Sequence, residues 1–184
     1  NAPTRAARET EMRRDGYPAY VTSVGWMGYT DERIRAQCRQ ALADGWTRFK
    51  LKVGRNADEN EHRCRLVREE IGWDNALMVD ANQAWDVGEA IEHMARLRPY
   101  KLLWIEEPTS PDDILSHAVI ARAVARVGGA TGEDAQYRVM DKPLLQAGEI
   151  ACMQVRTCTG RRVKEVVRWR YCLLSSGGPG RKRK

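Results

Sequence analysis

Asp80 in LMVDAN, Glu106 in LLWIEEP and Glu133 in GGATGE lie 26 and 27 residues apart. Each acid ends a short apolar run, and each is followed by a stretch with helical patterning. Three hard oxygen donors converging on one point make a site for a divalent cation such as Mg2+. A structural repeat would bring them together. One strand–helix unit of a parallel α/β barrel takes about 30 residues. One acid per unit therefore puts all three on neighbouring strands at the carboxyl end of the sheet, where such barrels keep their chemistry.

The remaining pattern supplies that repeat. Strands are predicted at 20–25, 48–53, 77–80, 102–105, 130–133 and 151–155, with helices at 30–43, 57–71, 87–97, 112–125 and 138–146. Thr30 is placed to cap the first of these helices, with Asp31 and Glu32 in its first turn and Gly45 just past its end. Gly72 and Pro99 close the next two helices, and Pro108 stops the fourth strand. Regular alternation argues a parallel sheet. It fits an open doubly wound sheet as well, but acids at successive strand ends favour the barrel. The predicted class is α/β, a partial TIM-type (β/α)8 barrel of about six βα units. Residues 1–15 read as an exposed helical lead-in, 16–155 as the barrel domain and 156–184 as a basic tail.

Composition limits what else the chain does. It has 184 residues and 42% hydrophobic content, enough for one domain with a core. The net charge of +6 is unevenly spread. Ten Lys and Arg face the single acid Glu165 between Arg156 and Lys184, which leaves 24 acidic against 21 basic residues in 1–155. The body asks for no nucleic acid, and the terminal RKRK, lacking interleaved aromatics, reads as an incidental charged tail. Cys38, Cys64, Cys152, Cys158 and Cys172 are odd in number and widely spaced, without a CxxC pair. Reduced thiols in an intracellular, cytoplasmic or mitochondrial protein are expected. No apolar run approaches the ~20 residues of a membrane helix, and none reads as a secretory signal.

FKLKVG at 49–54, VDANQAW at 79–85, WIEEPTSPDD at 104–113 and ATGE at 130–133 stand in collinear order. Together they resemble the enolase superfamily, mandelate racemase branch. With GYPAYVTSVGWMGY at 16–29 they are similar to sugar-acid dehydratases of the L-fuconate type. The resemblance implies Asp80, Glu106 and Glu133 as Mg2+ ligands, Lys50 and Lys52 as a KxK motif closing the second barrel strand, and Asn82 near the substrate carboxylate. Lys50 and Glu133 would also contact substrate. It implies removal of the α-proton of an aldonate by a base, then β-elimination of water to a 2-keto-3-deoxy acid. Alternate residues of a strand share a face, so both lysines point into the barrel. Like charges beside a cation lower a lysine pKa, which suits Lys52 to act as base and Lys50 to assist. Taken singly these signals are bland: KxK can be a solvated strand face, an Asp after a strand a helix cap, and EEP a turn. Glu107 is open between a supporting role and a rim charge. Trp26, Trp85 and Trp104 are expected to pack, and His62, His93 and His117 to lie satisfied on helices.

The family pattern is also departed from. Members carry a capping domain formed largely from amino-terminal sequence, and none is expected within this chain. Arg156 stands where dehydratases carry an Asp, and no His follows Val155, so the second acid/base is missing. A change of reading frame near that point would explain the end of the barrel-like pattern. The chain is therefore expected to have little activity. The alternatives are a non-catalytic barrel fragment or pseudoenzyme, and a racemase or epimerase of the same branch. Open barrel edges would favour a homo-oligomer.

Overall fold

The computed structural model describes residues 2–15, 19–134 and 150–154. An amino-terminal helix α1 (Ala2–Asp15) precedes β1 (Val21–Gly25), α2 (Asp31–Ala43), β2 (Arg48–Lys52), α3 (Ala57–Ile71), β3 (Ala76–Asp80), α4 (Val87–Leu97), β4 (Trp104–Glu106), α5 (Ile114–Ala123), β5 (Gly128–Thr131) and β6 (Ile150–Met153). The six strands form one parallel sheet in sequence order, β1 through β6. This is part of a (β/α)8-type barrel. Among the described residues it is unclosed: β1 and β6 each have one strand neighbour. The Gln154 amide just after β6 nevertheless donates to the Tyr20 hydroxyl just before β1 (3.1 Å), so the two edges curl toward each other.

Local chemistry sets the helix boundaries. Thr30, Asn56, Asp86 and Asp113 each accept a backbone N–H of the first turn of α2, α3, α4 and α5, and Asp86 with Glu89 forms a reciprocal capping box. Gly45 and Gly72 follow α2 and α3 with φ of 85° and 71°, a region costly for residues with a Cβ. Side chains facing the helices are apolar: Leu51, Val79 and Ile105 pair in register across β2, β3 and β4 and are fully buried. They pack against Ile34 and Cys38 of α2, Cys64 and Val67 of α3, and Ala90 and Met94 of α4. At the end of β1, Gly25 is required by space, because a Cβ there would lie 2.3 Å from Leu51 Cδ1.

Several boundaries differ from expectation. β4 starts two residues later than predicted and ends one later. β5 ends at Thr131 rather than at Glu133, so Glu133 sits above the sheet, past Gly132. α5 is shorter at both ends, since Asp113 caps it instead of joining it. The predicted helix at 138–146 and the basic tail at 156–184 lie outside the described residues. Cys38 and Cys64 are buried free thiols, and Cys152 is a partly buried one. Among the described residues no helix is long and apolar enough to cross a membrane.

Candidate active site

The register of the sheet puts the chemistry in one row. Lys52 pairs with Asp80, Asp80 with Glu106, and Glu106 with Ala130. Residues level with one another in a parallel sheet point to the same face, so the apolar residues between them feed the core while Lys50, Lys52, Asp80 and Glu106 turn inward. Their polar ends meet there. Lys52 Nζ donates to Asp80 Oδ2 at 2.6 Å and to Asn82 Oδ1 at 2.5 Å. Lys50 Nζ lies 3.0 Å from the same Asp80 oxygen and donates a short hydrogen bond to Glu106 Oε1. The Trp104 indole donates to the other Glu106 oxygen at 3.3 Å, and the Asn82 backbone N–H to the other Asp80 oxygen at 3.0 Å. Asp80 and Glu106 are fully buried, and Lys50 is 5% exposed.

Burial and charge pull these groups in different directions. Burial alone would lower the Lys50 pKa, but contact with Glu106 and then Asp80 outweighs it, and the ammonium is held above the ordinary lysine range. The two carboxylates that touch Lys50 directly are what hold it there. Burial pushes the Asp80 carboxyl up, yet Lys50 and Lys52 win and hold it below the usual range. Glu106 goes the other way: burial and then the Asp80 charge raise it against the pull of Lys50. The two neighbouring acids are thus split, one ionised and one pushed toward the neutral form.

Glu133 is not drawn into that pair. Its carboxylate gathers with those of Glu107 and Asp134, with ligand oxygens all within 4.8 Å of one another. This follows from β5, which has the expected four residues but starts and ends two residues early and so leaves Glu133 past the strand end, beside Glu107, whose N–H bonds Ala130 O. Glu107 is 1% exposed, and burial, opposed by a Gln83 hydrogen bond and reinforced by Asp134 and Glu133, pushes its carboxyl up to about 7. Gln83 Nε2 donates to Glu107 Oε2 (3.3 Å) and Asp134 Oδ2 (2.9 Å), while Glu107 Oε1 is buried with no hydrogen-bond partner among the described residues. Asn82, Gln83 and Glu107 adopt φ of 45°, 64° and 42°, so the rim just above Asp80 and Glu106 is built from left-handed turns. The donors on the ends of β3, β4 and β5 are all carboxylates, one with an unpartnered buried oxygen. That chemistry fits a hard divalent cation of the Mg2+ kind.

The sequence from 33 to 168 matches the family model described as enolase C-terminal domain-like. The chain belongs to the enolase superfamily. Its relatives in that superfamily include the human mitochondrial enolase superfamily member 1, 51% identical over 160 residues that cover 86% of this chain and 36% of the relative. The crystal structure of that human protein superposes with a TM-score of 0.85 and 49% identity, over 89% of this chain and 38% of that one. L-galactonate dehydratase of Hypocrea jecorina is 45% identical over 86% of this chain and 36% of the relative. A structure of L-talarate/galactarate dehydratase from Salmonella typhimurium LT2, liganded with Mg and L-lyxarohydroxamate, superposes with a TM-score of 0.80 and 30% identity, over 86% of this chain and 40% of that one. The chain spans little more than a third of the length of the curated relatives it matches.

Within this enolase-superfamily barrel, the sequence-predicted residues divide into two groups. Lys50, Lys52, Asp80, Asn82 and Glu106 come together, whereas Glu133 joins Glu107 and Asp134. All three histidines of the sequence lie away from the site. His62 pairs with Asp31 (2.8 Å), His93 stacks on Trp85 and takes an Asn60 N–H, and His117 contacts Ser110 O. Trp85 is packed as expected, but Trp26 is 48% exposed with Lys52 Nζ 5.5 Å from its ring. Sequence reading missed Asn60 and Arg63, both buried and both bonded to the strand ends beside the lysines. The signal was available: two polar residues sit i, i+3 on the α3 stripe that continues as Cys64, Val67 and Ile71.

Proposed function

We propose that this chain carries the proton-abstracting half of a Mg2+-dependent acid-sugar dehydratase site. The observation that carries the reading is the Lys52 amine resting on Asp80 and Asn82, two strands from Glu106 and partly open to the rim. Asp80, Glu106 and Glu133 would hold the cation, which supplies neutralisation of the charge that develops on the substrate carboxylate as its α-proton leaves. Lys50, buried and locked to two carboxylates, stays charged and draws the anionic substrate inward. Lys52 touches one carboxylate rather than two and has a more accessible side chain, 13% against 6% exposed. Once it has given up one proton to solvent and stands as the neutral amine, it is the better placed to take the α-proton on Nζ. Asn82, on its left-handed turn, orients Lys52 and offers its amide to a bound carboxylate.

Dehydration then breaks the Cβ–O bond, releases hydroxide with a proton as water, and leaves an enol that becomes a 2-keto-3-deoxy acid. No histidine of this chain stands where it could donate that proton. Abstraction is therefore the step this chain supports best, and full dehydration by it is slow. The substrate class is an acid sugar. L-fuconate is favoured by the motifs, and L-galactonate and galactarate by the names of the relatives. An intracellular location, mitochondrial or cytoplasmic, accords with the mitochondrial relative and the free thiols.

The test is keto-acid formation, followed with semicarbazide, over L-fuconate, L-galactonate and galactarate with added Mg2+. Slow product formation that disappears in Lys52→Ala is expected. Product formation unaffected by that substitution refutes the reading of Lys52, and no keto acid from any acid sugar, even at high enzyme concentration, leaves the non-catalytic alternative.

A further inference from the structure

Where Lys52 sits depends on where β2 stops. The ladder between β2 and β3 ends with Val53 N–H donating to Asp80 O at 2.9 Å. Gly54, the next residue, is past the last strand pairing. Its backbone is held by one side chain from α3: Asn60 Oδ1 accepts Gly54 N–H at 2.8 Å, and Asn60 Nδ2 donates to Gly54 O at 2.7 Å. A side-chain amide has the donor and acceptor of a peptide group. Asn60 therefore takes the part of a neighbouring strand and extends the pairing by one residue beyond the sheet.

The clamp is itself fixed. The second Asn60 Nδ2 proton goes to His93 Nδ1 at 3.0 Å, which sets both the orientation of the amide and the tautomer of the imidazole. The Trp85 ring stacks on His93 with centroids 4.5 Å apart, and its indole N–H donates to the same Gly54 carbonyl at 2.8 Å. Asn60, Trp85 and His93 are 1%, 3% and 7% exposed, so these bonds are shielded from bulk solvent. One turn further along α3, the buried Arg63 donates to Gly25 O (2.9 Å), Trp26 O (3.0 Å) and Lys52 O (3.4 Å). Burial pulls its pKa down, a cost carried to tie the ends of β1 and β2 together.

We infer that Asn60 and Arg63 are positioning residues: through Gly54, Gly25 and the Lys52 carbonyl they fix the ends of β1 and β2, and so hold the Lys52 amine between Asp80, Asn82 and the Trp26 ring. Neither touches the reacting atoms. An aspartate at position 60 would keep the bond from Gly54 N–H but would have no N–H to give to Gly54 O or to His93 Nδ1, which is why the amide is needed.

The inference rests on Lys52 being the base, but its test reads Lys52 without turnover, so an inactive chain and a mistaken clamp give different results. The full chain is treated under native conditions with an acylating reagent, and modification of Lys52 is measured by mass spectrometry relative to exposed Lys101. In Asn60→Ala the Lys52/Lys101 ratio should rise about tenfold, as expected for freeing a group held by hydrogen bonds of ~1–1.5 kcal/mol. Leu66→Ala, a core truncation on the same helix, controls for general loosening and should leave the ratio unchanged. If Asn60→Ala does not fold, Trp85→Phe keeps the stacking and removes only the bond to Gly54 O, and a rise of two- to threefold is expected from it. A ratio in Asn60→Ala equal to that in Leu66→Ala, or in the fallback a ratio in Trp85→Phe equal to wild type, overturns the assignment.

Discussion

Replacing Lys50 by Met removes the one cation that, among the described residues, touches both Asp80 and Glu106. Lys50 Nζ contacts Asp80 Oδ2 at 3.0 Å and Glu106 Oε1 more closely still. After the substitution Asp80 keeps Lys52 at 2.6 Å. Glu106, fully buried, keeps only neutral partners such as the Trp104 indole. One uncompensated buried carboxylate of this kind costs about 3–5 kcal/mol, or a fall in Tm of about 6–20 °C for a domain of this size. The pH dependence has a definite sign. In wild type the Lys50 pKa is raised by folding, so its contribution is present below about pH 10.4 and lost as pH rises through the folded value. The Asp80 pKa is lowered, so its contribution is present above about pH 3.9 and lost as pH falls through the folded value. Both are complete at pH 7. In Lys50→Met, Glu106 is driven further toward its protonated form, so the folded chain binds more protons than the unfolded one and the defect shrinks as pH falls toward 5. Urea denaturation of Lys50→Met and of Lys50→Met/Glu106→Gln between pH 5 and 8 measures this. The double variant should regain most of the loss at pH 7. A single variant within 1 kcal/mol of wild type at pH 7, or a loss that the second substitution does not repair, would refute the electrostatic reasoning.

Two other outcomes follow from the same geometry. Mg2+ should raise Tm by about 5–11 °C at a hundredfold excess over Kd, the equivalent of ~2.7 kcal/mol; Asp80→Asn and Glu133→Gln should each abolish the rise, and a rise preserved in both would place the cation elsewhere. Burial lowers the His117 pKa, so the unfolded chain takes up a proton first and stability is lost as pH falls below about 6.5; His117→Gln should flatten that slope in urea midpoints measured from pH 8 to pH 5, and an unchanged slope would assign it to another group.

Much of this arrangement is legible in the amino-acid sequence. The strand–helix alternation, the cap at Thr30 and the inward row of Lys50, Lys52, Asp80 and Glu106 follow from periodicity and turn chemistry, which are local properties of the chain. Glu133 is harder to place because its position depends on where β5 stops pairing. The GGAT strand contains two glycines, and its end is decided by neighbours rather than by its own residues. Glu107 cannot be assigned from an EEP motif, since its burial comes from a left-handed turn and from Gln83 on the next loop. Asn60 and Arg63 read as ordinary helix polar residues. Their role depends on α3 crossing the strand ends at a height that spacing alone does not give. The close pairing of Lys50 is hidden for a related reason: the sequence shows two lysines one residue apart but not that two carboxylates close on one of them.

The proposed removal of an α-proton from an acid sugar by Lys52 is testable separately from the dehydration step. The full chain, with Mg2+ and L-fuconate in D2O, is followed by proton NMR of the substrate α-position. The α-proton signal should be lost by exchange with deuterium faster than keto acid appears, with no exchange above background in Lys52→Ala. Exchange that is equally fast in Lys52→Ala, or no exchange with any of the acid sugars by a chain that binds Mg2+, would contradict the role given to Lys52.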